Sequence, residues 1–539
     1  MTKWKGKNTM SIDEQGRRLL SRFQPAQRSA FFACLILGYL VHLYAFTNLI
    51  PNSDGLSRVF DLQQMTVSGR WFLHYASALN RFTQMPAAIG LVSLVLLAMA
   101  AVLVVDLLGI QSRWLGGLCG GVMAVFPCLG YTFLYMFTAS AYCLAIFMAV
   151  LSVWLVRWGW KGWLGGVLLL AMTMGTYQAY ATVAISLSVL VVLRHVLLKK
   201  ATFQSAVRLG LSFVSFLAVG AAAYYGILMA VLKIKNLELL SYLGMDAASS
   251  GYPIAQLPRL VLDTYKQVIA FFFLPGSANG FADGMMVVCN AALILLAAYF
   301  VFRRMSGKKL WRDKWRIFGI AALVAIFPLA INFSQIISPY SVPTPLMKYA
   351  YVAVYLAVLM AADLADTATE EKLTAPVIAA AVLTVLLINF VNTNNLLYTA
   401  SSQAQESTRS YLTRLLTRIE DCEGYEPGME VVVIGAIPEE QLRSDVESYA
   451  QVDHYSVPLN TVASLNKHIY YYFNDWLNTP IAEPEEETMI AVAETTEFEQ
   501  MPLYPKQGSV QVIDGRIVVK LRESYTPKSE FELAYENRR

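Results

Sequence analysis

Asn52-Ser53-Asp54-Gly55, Arg58, Asp61, Gly69-Arg70-Trp71, His74 and Arg81 form a polar island between two long apolar runs, at about 28–50 and 86–108. Ionisable groups beside hydrocarbon are costly, by roughly several kcal/mol, so this island is the first place to look for chemistry. If the chain after Gly55 is helical, Asp54, Arg58 and Asp61 stand at i, i+4 and i+7 and share one face. Asp54 or Asp61 could then accept a proton from a hydroxyl. The same residues also fit a plain structural role, with Asn52 to Gly55 capping the helix and Arg58 bridging the two acids.

The neighbouring residues suggest an anionic, polar ligand. Arg70 offers a guanidinium that can bind phosphate through two parallel hydrogen bonds, and Trp71 beside it suits a membrane interface, where the pair could equally serve as an anchor. His74 lies four residues beyond Arg70 and would line the same pocket on a helical repeat, or stand as a structural histidine. Tyr177 and Gln178, at the junction of two apolar runs, could hydrogen-bond a sugar or satisfy one another where helices meet. Lys348 follows a proline-rich loop, Ser338-Pro339-Tyr340 and Pro343-Thr344-Pro345, and could meet a phosphate or snorkel to the interface.

These side chains need a frame, and composition specifies it. The 539-residue chain is 56% hydrophobic and 15% charged, with mean hydropathy +0.47. Its apolar blocks approach the roughly 20 residues that cross a bilayer as helix. The expected fold class is mainly α: a polytopic membrane bundle of eleven spans, at 29–49, 87–108, 114–131, 138–156, 162–177, 180–196, 208–232, 284–302, 317–334, 347–363 and 375–396. Basic residues cluster at Lys3 to Arg28, Arg157 to Lys161, Arg194 to Arg208 and Arg303 to Arg316. With eleven spans these clusters all fall on one side, which the positive-inside rule makes cytoplasmic. Segment 51–86, loop 233–283 and everything after about 397 are then extracytoplasmic. The apolar stretch 260–274 is short and interrupted by Asp263 and Lys266, as in an interfacial or re-entrant helix.

Three regions result: a basic tail at 1–28, a transmembrane domain at 29–396 and a soluble domain at 397–539. In the last, Ser407 to Glu420 is helical in period, Glu430 to Gly435 reads as a buried strand, and Ser509 to Leu521 alternates around Asp514-Gly515 as a hairpin. A small α/β or α+β module is expected. Five of the six cysteines fall in or at apolar segments, with neither disulfide nor metal-ligand spacing. The net charge of +4 comes from the basic loops and gives no case for nucleic acid.

The order of basic tail, first span, Asn52-x-Asp54 loop, Gly69-Arg70-Trp71, Tyr177-Gln178 turn, proline-rich loop ahead of Lys348 and C-terminal module resembles the glucosyltransferase II-like membrane proteins, over roughly Thr47 to Gly435. That family includes serotype-converting O-antigen glucosyltransferases and is similar in layout to the GT-C glycosyltransferases. The resemblance implies transfer of a sugar from a polyprenyl-phosphate donor to a surface polysaccharide at the outer membrane face. It also implies roles: Asp54 as acid/base, Arg70 and Lys348 as donor-phosphate contacts, and Tyr177 and Gln178 as pocket lining. Many GT-C enzymes carry closely paired acids in this loop, whereas here Gly55 follows Asp54 and the next carboxylate is Asp61. The division of labour between the two acids, and any need for a divalent metal, stays open. The competing class is a transporter or flippase of lipid-linked sugars, for which midplane charges and internal repeats are expected. This chain instead gathers its ionisable residues at one edge.

Overall fold

The computed structural model describes Ser11, Ser21 and residues 23–56, 62–239, 254–277, 280–337, 344–366, 374–438, 441–442, 444–452 and 467–525. Among these, 10 helices are long and apolar enough to cross a membrane: Pro25–Thr47, Pro86–Leu108, Arg113–Leu134, Met136–Val156, Gln178–Val196, Phe203–Lys235, Gly284–Gly307, Lys314–Ile331, Pro345–Ala365 and Thr374–Glu420. Each matches an expected span. The remaining one, expected at 162–177, is the 18-residue helix Gly159–Thr176. Lys161 and its glycines dilute its hydropathy, yet at 1.5 Å per residue it is about 27 Å long, close to the hydrocarbon thickness of about 30 Å.

Small residues set how closely the spans pack. Gly116 and Gly120 lie one turn apart against the first span, where a Cβ would fall 2.4 Å from the Ala26 carbonyl oxygen and 2.0 Å from that of Ala30. This is the small-xxx-small contact that lets backbones approach in a membrane. The outer faces carry apolar side chains into lipid, among them Phe32, Ile36, Leu40, Leu211, Leu295 and Ile388.

The third span is not one continuous helix. It breaks at Phe126, between Arg113–Val125 and Pro127–Leu134, because Pro127 has no N–H to donate back to Met123. The carbonyls freed by the break find side chains on three other segments. Tyr349 Oη donates to the Met123 oxygen at 2.8 Å, His42 Nε2 to that of Ala124 at 2.8 Å, and Asn394 Nδ2 to that of Val125 at 2.7 Å. His42 Nδ1 then accepts from Tyr398 Oη at 2.6 Å, which fixes the imidazole as the neutral Nε2–H tautomer.

The basic segments Arg157 to Lys161, Arg194 to Arg208 and Arg303 to Arg316, expected on one side, meet at one end of the bundle, while most of Lys3 to Arg28 lies outside the described residues. Arg157 pairs with Asp106, and Asp363 Oδ1 accepts from the backbone of Gln111 at 2.9 Å and Ser112 at 3.0 Å. Arg304 donates to the carbonyls of Leu197 and Leu364, each at 3.1 Å. Arg316, almost wholly buried, donates to those of Leu198 at 3.0 Å and Ala201 at 2.6 Å. Arginines thus satisfy carbonyls at and just beyond helix C-termini, where both unpaired acceptors and dipole favour a cation.

The helix expected at 407–420 is continuous with the last span as Thr374–Glu420, since no glycine and no proline after Pro376 interrupts it. Its far end contributes Tyr411, Leu412, Leu415, Leu416 and Ile419 to a second hydrophobic core. There the strands β1 (Val431–Ile434), β2 (Val510–Ile513) and β3 (Arg516–Lys520) form a sheet of order β1-β3-β2. β1 runs parallel and β2 antiparallel to β3. The hairpin turns at Asp514 (φ 49°) and Gly515 (φ 74°), the left-handed pair that a tight two-residue turn demands.

Candidate active site

At the bundle end away from the arginine-capped loops, Asp54 lies exposed in the single turn Ser53–Gly55. Asn52 builds that turn. Its side chain is buried, its Oδ1 accepts from Gly55 N at 2.8 Å, and its Nδ2 donates to the Leu134 carbonyl at 3.0 Å. Gln84 Nε2 holds the Gly55 carbonyl at 2.9 Å, and Asn80 Nδ2 reaches that of Phe137 at 2.8 Å. Asn52 and Asn80 therefore fasten this loop to the corner joining Pro127–Leu134 to Met136–Val156, and Gln84 ties the Asp54 turn to the far end of the loop. Arg58 and Asp61 lie outside the described residues.

The Arg70 loop is held as firmly. Gln178 Nε2 donates to the Ser68 carbonyl at 3.0 Å and to Tyr224 Oη at 2.9 Å, and Tyr224 Oη donates to the Gly69 carbonyl at 3.1 Å. Gly69 takes φ 82°, a conformation that favours glycine. Phe72 N donates to the Gly175 carbonyl at 2.7 Å. The Trp71 indole lies on Gly175, where a Cβ would stand 2.6 Å from the ring. Trp71 Nε1 is buried with no hydrogen-bond partner among the described residues.

Arg70 sits over the Tyr177 ring at 4.9 Å, a cation–π distance. Tyr177 packs on Tyr142 at 4.9 Å and Tyr180 at 5.4 Å between ring centroids. Tyr131 and Tyr135 lie 5.8 Å apart on the neighbouring helix and turn. Asp54 is within electrostatic reach of Tyr131, Tyr135 and Tyr142, and Arg70 of Tyr142 and Tyr224. The carboxylate and the guanidinium thus both lie near one tyrosine cluster. Its hydroxyls and rings are suited to the hydroxyls and apolar faces of a sugar.

Lys348 lies on a segment packed against elements that carry part of this cluster. Its segment, Pro345–Val352, packs on both Pro127–Leu134 and Gln178–Tyr180. The lysine is 0% exposed and within electrostatic reach of Cys128, at the start of the helix that carries Tyr131 one turn later. His74 is placed differently. The helix here begins at Leu73, beyond Arg70, and the imidazole is exposed beside Tyr75 and Phe82, at 5.5 and 6.5 Å between centroids. Among the described residues no group of three or more His, Cys, Asp or Glu side chains is arranged to hold a metal ion.

Tyr131, Tyr135, Tyr142 and Tyr224 escaped the reading of the sequence because tyrosine in an apolar run registers as hydrophobic. Their signal was the placement of all four near the same end of their spans.

A bundle of helices able to cross a membrane that collects a carboxylate, cations and tyrosine hydroxyls at one end is an integral-membrane protein with a polar site. The chain belongs to the glucosyl transferase GtrII family, whose model matches residues 43–361, a stretch that contains every candidate site residue named above. It is accordingly a glucosyltransferase. The match ends short of the Gly435 expected from the resemblance. Comparison with curated proteins and with solved structures returned no match.

Proposed function

We propose that this glucosyltransferase takes its sugar from a polyprenyl-phosphate donor and transfers it to a surface glycan at the extracytoplasmic face. The observation that carries this reading is the shared tyrosine cluster: Arg70 lies over the Tyr177 ring, which packs on Tyr142, and the Asp54 turn is tied through Asn52 to Leu134, the residue before Tyr135. The cluster lies at the bundle end opposite the basic loops, and basic loops stay cytoplasmic. The C-terminal region then lies outside the cytoplasm with the site.

In this mechanism an acceptor hydroxyl attacks the anomeric carbon of the donor while Asp54 takes the hydroxyl proton. The bond from that carbon to the phosphate oxygen breaks, and its electron pair leaves on the polyprenyl phosphate. Arg70 receives that developing charge, and Lys348 supports it from the wall between Pro127–Leu134 and Gln178–Tyr180. Trp71, Tyr177 and Gln178 hold the sugar, and His74 borders the entrance.

Asp54→Asn tests the role of the carboxylate, because the amide keeps the shape of the turn and loses the base. Transfer to surface polysaccharide should fall by roughly 100-fold or more, as expected for a general base, with the protein still present in the membrane. Parental transfer by Asp54→Asn would remove Asp54 from the mechanism.

A further inference from the structure

The turn that carries Asp54 is secured from two directions, and one of them comes from 420 residues away. Leu56, two positions after Asp54, is only 2% exposed. It belongs to the hydrophobic core of the C-terminal region, with Tyr472, Phe473 and Leu415. Its carbonyl accepts a hydrogen bond from Trp476 Nε1 at 3.0 Å. The indole in turn stacks on Tyr472, at 6.3 Å and 22° between rings, and Tyr472 Oη is held by Gln405 Nε2 of the long last helix at 2.8 Å.

The segment presenting Trp476 is rigid. Tyr472–Trp476 is a turn of π-helix, an uncommon conformation that recurs at functional positions. Asn474 pins it by donating to the Tyr470 carbonyl at 2.8 Å and the Ile481 carbonyl at 2.9 Å, and by accepting from Ile481 N at 3.1 Å. An unbroken path of packed and hydrogen-bonded groups therefore runs from the last membrane helix through Tyr472 and Trp476 to the residue beside Gly55. From the membrane side, Asn52 and Gln84 grip the same turn.

We infer that the C-terminal region is a positioning element of the active site: Trp476 and Leu56 fix the turn on which Asp54 is carried. This rests on the assignment of Asp54 as the base. The turn is a single helical turn with an exposed carboxylate, and its own three residues cannot hold it. Two anchors on the membrane bundle and two on the C-terminal region set where the carboxylate stands relative to Arg70 and the tyrosines. Misplacing a reacting group by about 1 Å can cost on the order of 100-fold in rate, so this clamp bears on turnover and leaves donor affinity untouched.

The test uses the full-length protein in lipid vesicles, a short-chain polyprenyl-phosphate glucose as donor, and as acceptor the surface polysaccharide purified from cells lacking the protein. Trp476→Phe removes the Nε1–H donor and keeps a ring on Tyr472. It should lower kcat by about 10- to 100-fold with donor KM within twofold and with unchanged recovery from the membrane. Leu56→Ala, which withdraws the apolar anchor and keeps the hydrogen bond, should do the same, and carries the test alone if Trp476→Phe fails to accumulate. Parental kcat in these variants alongside an inactive Asp54→Asn would overturn the clamp and leave the base assignment standing. An active Asp54→Asn would overturn both. A rise in donor KM with kcat unchanged would also contradict the proposal, since it would put Trp476 in donor binding.

Discussion

Lys348 is the residue whose surroundings most change what substitution should do. Sequence alone places it at a membrane edge, where arginine would be an acceptable replacement. In the structure it is wholly buried, and a longer, planar side chain must overpack the wall between Pro127–Leu134 and Gln178–Tyr180, at roughly 1–3 kcal/mol. Lys348→Met is the informative exchange, because it keeps the length and removes the charge. Methionine leaves the groups that meet the buried ammonium without their partner, at a cost of roughly 1–3 kcal/mol. The methionine variant should therefore accumulate with a lowered unfolding temperature whichever role the lysine has, and donor KM separates the two roles. If the charge serves the donor phosphate, donor KM should rise about tenfold or more, the worth of one charged interaction. Lowered heat stability with unchanged KM would make Lys348 a structural residue.

Asp54 and Arg70 were legible in the sequence because charge is rare in this chain and conspicuous beside apolar runs. Their positions were not. The amides that place the turn, Asn52, Gln84 and Asn80, bind carbonyls at 134, 55 and 137, and no spacing in the chain announces such pairings.

Among the elements, the broken third span shows what hydropathy captures and what it leaves out. The run from 114 to 131 is apolar enough to predict a span, and Pro127 within it is the mark of the break. The partners of the freed carbonyls come from segments as distant as His42, Tyr349 and Asn394, so their roles were invisible to periodicity. His42 illustrates the energetic consequence. His42→Phe keeps an aromatic ring against Phe46 and Phe133, which lie 6.0 and 4.9 Å from their neighbours in this stack, His42 and Phe46. It leaves the Ala124 carbonyl and Tyr398 Oη without their partner. The expected loss is roughly 1–3 kcal/mol, the cost of an unsatisfied buried polar group. It should be read as a lower unfolding temperature of the detergent-solubilised protein without substrate, and an unchanged temperature would mean that the break is satisfied in another way. The hairpin around Asp514-Gly515 was fully legible, since both positive φ values lie on the two residue types that adopt them most readily. The joining of the last span to the 407–420 helix was less so: each half has a helical pattern, and only the absence of a breaker between them predicts one continuous rod.

At the scale of the whole molecule, one end of the bundle is closed by arginines on helix carbonyls, while the other bears the acid, the tyrosines and the C-terminal region. Composition located the apolar helices, because each is a local property of some twenty residues. The meeting of Leu56 with Trp476 is a property of the folded chain alone and left no mark in the sequence. The division between the two ends bears directly on the donor. On the proposed reading the donor is a lipid phosphate, met by Arg70 at the end of the bundle opposite the basic loops. The decisive measurement is transfer by the purified protein in lipid vesicles, with polyprenyl-phosphate glucose and UDP-glucose offered separately to the same surface polysaccharide. The account predicts glucosylated product from the polyprenyl-phosphate donor and none from UDP-glucose. Product from UDP-glucose, with no polyprenyl phosphate in the vesicles, would contradict it.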